Sequence, residues 1–149
     1  MNTLFNTADY TAMVTRVEKL PHNAERLWGK MDSAQMLAHC NEAMKSAVGE
    51  LKLKRVFIGR LLGKWALKQF IGEKAISKNN PTAKEFRVAD KRDFEKEKKE
   101  LLSYMKRFHE AGEKGATTEP HGFFGKMTQA EWGILQWKHI DHHLRQFGG

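Results

Sequence analysis

Apolar residues recur at intervals of three and four along most of this 149-residue chain, and nowhere do they alternate strongly enough to build a sheet. That periodicity restricts the fold to an all-α class, in which helices bury one stripe each against their neighbours. Tyr10, Met13, Val14 and Val17 form the first stripe, over 7–19, and Pro21 closes that segment. Asp32, followed three residues later by Gln35, has the form of a capping box. It opens a second helix whose apolar face is Met36, Leu37, Cys40, Met44, Ala47 and Val48, with Gly49 as its stop. Residues 52–71 read as an amphipathic piece, with Ile58, Leu61, Leu62 and Trp65 on one side and Arg60, Lys64 and Lys68 on another. Gly59 and Gly63 each lower its helicity by about 1 kcal/mol relative to Ala when exposed, so packing must hold it.

Asn79-Asn80-Pro81 marks a break, after which a short strand or turn is as good a reading as a helix. Asp90 then starts a charged helix through Ala111, with Phe94, Leu101, Leu102, Met105 and Phe108 turned inward and KRDFEKEKKE as its solvated face. The Gly-, Thr-, Pro- and His-containing stretch 112–126, with HGFFG near its end, reads as a long surface connection. Thr128 and Glu131 form a second capping box, and the last helical pattern runs to Phe147.

The length suits one domain over 1–149, large enough to bury a core without covalent staples. A single cysteine, Cys40, excludes an internal disulfide and fits a reducing compartment. The first residues lack the pattern of a secretory signal, and no stretch approaches the ~18 apolar residues of a membrane span, so a soluble cytoplasmic protein is expected. The net charge of +8 is uneven: residues 51–100 hold 15 of the 26 Lys+Arg and 7 of the 18 Asp+Glu. Such a segment attracts polyanions, anionic membrane surfaces or anionic small molecules.

Three histidines, His139, His142 and His143, cluster near the C-terminus, and His39 lies on the second helix. His139 and His143 are four residues apart and project from one helical face, together with Trp132, Gln136 and Gln146. Burying two imidazoles on a stripe that ought to be apolar is costly without partners, and a metal ion is an economical partner. His39 is then a third ligand if its helix packs on the last one. His142, displaced by about 60 degrees from His139, is a weaker ligand candidate and a general base only if its ring turns inward. Gln136 and Gln146 are placed to orient a ligand imidazole, water or substrate, and Trp132 to line a pocket. Cys40 adjoins His39, but adjacent helical residues diverge by about 100 degrees, and a core role suits it better than that of a nucleophile.

The stretches LWGKMDSAQMLAHC and HIDHHLRQFG resemble the DinB-like superfamily of metal-binding four-helix bundles, with the closest likeness to a bacterial subgroup. The resemblance covers most of the chain. It implies a four-helix bundle with an additional amphipathic helix between the second and third main helices. It also implies one divalent metal, zinc or nickel, on His39, His139 and His143, and a homodimer. Better understood relatives are transferases or isomerases using low-molecular-weight thiols, and others are described as hydrolases. The basic insert at 52–80 departs from the plainer relatives.

With a metal on three neutral imidazoles, a bound thiolate attacking an electrophile or a bound water attacking a substrate are the two reactions to consider. Arg60, Lys64 and Lys68 are a solvated face in the simplest reading. They otherwise guide an anionic substrate such as a carboxylate-bearing thiol, or touch a membrane surface beside Phe57, Trp65 and Phe70. Nothing in the chain points to specific nucleic-acid binding. The rival of the enzyme reading is a noncatalytic bundle whose basic segment binds an acidic partner or a membrane.

Overall fold

The computed structural model describes residues 1–149 and contains five α-helices, two short 3-10 turns and no strand. The helices are α1 (Thr7–Lys19), α2 (Ser33–Ala47), α3 (Phe57–Ile71), α4 (Phe94–Ala111) and α5 (Gln129–Gln146), and the 3-10 turns are Lys84–Phe86 and Glu113–Gly115. Both capping boxes form. The Asp32 carboxylate accepts from the Gln35 amide at 2.8 Å while the Gln35 side chain accepts from the Asp32 amide at 3.0 Å. Thr128 and Glu131 repeat the exchange at 3.1 and 2.8 Å. α1 ends at Lys19, and Leu20, the residue ahead of Pro21, is extended, as the ring of a proline favours. α2 ends at Ala47, with Gly49 at φ +82 just beyond.

The start of α4 differs from the sequence expectation. Asp93 is the N-cap, accepting from the Lys96 amide at 2.8 Å. Asp90 stays outside the helix, paired with Arg92 at 3.0 Å, and its carbonyl accepts from the Gln35 side chain at 3.1 Å. The charged run also hides one exception. Glu97 is buried and accepts from Asn41 at 2.9 Å and from Arg92 at 3.3 Å.

α1, α4, α2 and α5 pack in a closed cycle, each touching the next, whereas α3 lies outside and, among the helices, touches α5 alone. The core inside the cycle is built from Met13, Val17, Met36, Leu37, Met44, Leu101, Met105, Phe108, Trp132, Ile140 and Leu144. Burying a side chain of this kind contributes roughly 1.5–3 kcal/mol each against an extended chain.

α3 is anchored by its small residues. Gly59, Gly63 and Ala66 face the body together with Leu67, and a Cβ at Gly59 or Gly63 would collide with the Phe123 carbonyl oxygen. The glycines that weaken the helix in isolation are the ones that let it approach another backbone. The stretch that read as a surface connection is accordingly tied in: His121 and Gly125 exchange backbone bonds at 2.9 and 3.0 Å, and His121 and Phe124 are buried.

Candidate metal centre

The two capping boxes set the registers of α2 and α5, and the packing of these helices brings their histidines together. His39 comes from the middle of α2, and His139 and His143 from successive turns of α5. The ring centroids lie 4.8 Å (His39–His139), 4.6 Å (His39–His143) and 4.7 Å (His139–His143) apart, a nearly equilateral triangle. One ring nitrogen from each falls within 4.8 Å of the others.

Hydrogen bonds behind the rings decide which nitrogen carries the proton. His39 Nδ1 lies 2.7 Å from the Phe86 carbonyl oxygen, which can only accept, so Nδ1 carries the proton and Nε2 the lone pair. His143 Nδ1 lies 2.8 Å from Gln146 Oε1. The orientation of that amide is set in turn by its Nε2, which donates to the Trp28 carbonyl at 2.8 Å. His143 therefore donates from Nδ1 and keeps a lone pair on Nε2. His139 Nε2 sits 2.9 Å from His39 Nε2, and its own Nδ1 is buried with no partner. The His39 lone pair faces that Nε2, which in the metal-free neutral pair donates its N–H to His39 and leaves Nδ1 as the orphaned acceptor; a cation between the rings would replace that proton. Neutral imidazole is a common metal ligand, and the three rings so placed could hold a metal ion.

The surroundings keep these rings neutral. Burial pushes His143 down to about 3, with the His39 ring adding to the effect and the Gln146 bond opposing it. Burial also holds His139 well below the ordinary histidine range, helped by His143 and His39. His39 is lowered by burial against the opposing bond to Phe86. A neutral imidazole is the form that binds metal.

The other residues singled out in the sequence divide. Gln146 orients His143 directly. Gln136 is buried one turn before His139, and its Oε1 has no partner. His142 stands outside the triangle, its ring tilted against Trp28 at 5.6 Å. Trp132 is a core residue beside His121, at 5.6 Å, and lines a small cavity of about 40 Å³ with Ser46, Leu53 and Pro120. Arg60, Lys64 and Lys68 lie on α3, where the Lys64 ammonium reaches the Lys126 carbonyl. Cys40 is fully buried, its sulfur 3.8 Å from that of Met36, and burial pushes the thiol up, which suits a core residue.

Three contributions escaped the sequence reading. The Phe86 carbonyl comes from the segment read as ambiguous, and the Trp28 carbonyl from an irregular link, and neither backbone group leaves a mark in the side-chain pattern. His121, in the loop read as surface, is buried and lowered to about 4 by burial and by the Arg55 charge. Its Nδ1 accepts from the Phe123 and Phe124 amides at 3.1 and 3.2 Å.

Fold and site together define an all-helical protein with a buried three-histidine cluster able to hold a metal ion. The chain belongs to the family described as protein of unknown function (DUF1569), whose model matches residues 3–148. Neither a curated protein nor a solved structure matches it.

Proposed function

We propose that this protein is a metal-dependent enzyme of the DinB-like superfamily. In this reading α1, α4, α2 and α5 are the four-helix bundle and α3 is the additional helix, a division supported by the closed packing cycle. His39, His139 and His143 hold one divalent ion, zinc or nickel. The observation that carries the reading is the commitment of two buried Nδ1–H groups to Phe86 and Gln146, which turns the Nε2 lone pairs of His39 and His143 toward the space shared with the third ring.

No carboxylate joins the cluster, so nothing within it offsets a cation's charge. Asp141, on the same helix, is occupied by Arg16 at 2.7 Å and by Arg145 at 3.0 Å. A bound divalent ion supplies the positive charge that lowers the pKa of a coordinated water or thiol and so provides a nucleophile at neutral pH. The chain's own part is to keep three imidazoles neutral, to lock two tautomers, and to hold the rings in place through Gln146 and the Phe86 carbonyl. The reaction is attack of a low-molecular-weight thiol on an electrophilic carbon, in which the S–H proton is released and the C–S bond forms as a leaving group departs with its electron pair, or hydrolysis, in which water takes the place of the thiol.

Titration of chelator-treated protein with zinc and with nickel tests the site, followed by a screen of thiols against electrophiles with the tighter ion. One equivalent bound by the parent, and a loss of at least tenfold in affinity in His139→Ala and His143→Ala, is the expected result. Absence of saturable binding of either ion, or undiminished binding by both variants, overturns the proposal.

A further inference from the structure

α3 is held to the body by Gly59, Gly63, Ala66 and Leu67 and presents most of its large apolar residues to solvent. Phe57, Leu61 and Trp65 are 75%, 73% and 65% exposed, and Ile58 and Leu62 are about half exposed. At 100 degrees per residue these five span about 140 degrees of the outward face. Arg60, Lys64 and Lys68 run along one border of that stripe, and α3 contains no acidic residue. The wider segment 51–80 carries eight Lys and Arg against Glu73 alone, so its net +7 is nearly the whole +8 of the chain.

This face is rigidly mounted. The seam of Gly59 and Gly63 rests on the Phe123 and Phe124 backbone. The Val56 amide donates to the Gly122 carbonyl at 3.0 Å, and the Arg55 guanidinium donates to the His121 carbonyl at 2.7 Å. At the other end the Lys138 ammonium bonds the carbonyls of Gly72 and Lys74, which places a cation at the helix C-terminus. An apolar stripe fixed in this way loses little conformational freedom on docking, because its helix is already ordered.

Charge decides what it docks on. An isologous contact between two copies sets the same patch against itself and would bring two +7 segments together. Nucleic acid would neutralise the cations and leave Phe57, Leu61 and Trp65 in water. An anionic bilayer surface answers both features at once, taking up the aromatic and aliphatic side chains at the headgroup boundary while phosphates meet the flanking cations. No helix is long and apolar enough to cross a membrane, and a flat α3 of about 22 Å has no need to. We propose that α3 is a docking surface for anionic lipid bilayers, with Phe57, Leu61 and Trp65 entering the interface and Arg60 and Lys68 engaging lipid phosphates.

Co-sedimentation of the full-length protein with phosphatidylcholine vesicles, with and without an equal share of phosphatidylglycerol, tests this together with tryptophan emission, since Trp65 is the exposed tryptophan. The expected result is binding to the anionic vesicles with a blue-shifted emission, weakened by salt. Each cation removed by Arg60→Ala or Lys68→Ala should weaken partitioning about fivefold. Leu61→Asp, at an exposed position that leaves the fold intact by circular dichroism, should abolish it. Failure of the folded protein to bind anionic vesicles, equal binding to neutral ones, or unaltered binding by Leu61→Asp overturns the proposal. So does a self-association that Leu61→Asp dissolves, which would assign the face to a second copy.

Discussion

Gln146→Leu separates an orienting role at the histidine cluster from a merely structural one. The native side chain accepts from His143 Nδ1 at 2.8 Å and donates to the Trp28 carbonyl at 2.8 Å, so it ties a ligand ring to the link between α1 and α2. Leucine fills similar space and does neither. The buried Nδ1–H left without an acceptor costs about 1–3 kcal/mol, whereas the Trp28 carbonyl, being only part-buried, can turn to water at smaller cost. At about 2–4 °C per kcal/mol for a chain of this size, the melting temperature should fall by roughly 2–12 °C. Losing the group behind a metal-bound histidine weakens metal affinity about 10- to 100-fold, or about 1.4–2.8 kcal/mol. Competition against a chromophoric chelator reads that change and scanning calorimetry the stability. Gln146→Glu is the control: it still accepts from His143, now as a carboxylate, but faces the Trp28 carbonyl with an oxygen. It should match or exceed the parent in metal affinity while losing stability. Parental affinity in Gln146→Leu, or equal losses in both variants, would refute the orienting role.

Gly63→Ala places a methyl against the Phe123 carbonyl, a backbone atom that cannot swing aside, and should destabilise by about 1–3 kcal/mol in urea titration; a neutral result would show that α3 shifts freely. The pH dependence of the metal-stripped protein follows from its depressed histidines. His121 at about 4 and His143 at about 3 lie below the ordinary 6.5, so under pH 6.5 the unfolded chain binds protons that the folded chain refuses. Stability is then fully present above 6.5 and is lost as pH falls toward 4 and 3, by up to about 1.4 kcal/mol per pH unit for each histidine. Urea midpoints at pH 7.5, 6 and 5 should decline in that order, and a midpoint unchanged down to pH 5 would contradict neutral buried rings.

Much of this arrangement is legible in the sequence because it depends on local spacing. Asp32-Gln35 and Thr128-Glu131 mark helix starts through side chains three residues apart, and the four-residue interval of His139 and His143 puts both on one face. Where two residues of one type compete, spacing loses its hold: Asp90 and Asp93 both suit a cap, and the pairing of Asp90 with Arg92 leaves the role to Asp93. A hydrophobic stripe also does not say which way it faces. On α3 the small residues pack and most of the large ones lie outside, an inversion governed by how closely the Phe123 backbone approaches. Glu97 vanishes into its charged run for the same reason, since Asn41, brought from α2, together with Arg92 makes its burial tolerable. The Phe86 and Trp28 carbonyls are invisible in advance because a backbone oxygen has no identity in the sequence and gains its role from tertiary placement.

The central claim is that rings from α2 and α5 share one cation. X-ray absorption on the zinc- or nickel-loaded protein counts its imidazole ligands directly. Three histidine nitrogens near ~2.0–2.1 Å in the parent, and one fewer in His39→Ala, is the expected outcome. A shell of oxygens alone, or an imidazole count unchanged by removal of His39, would contradict it.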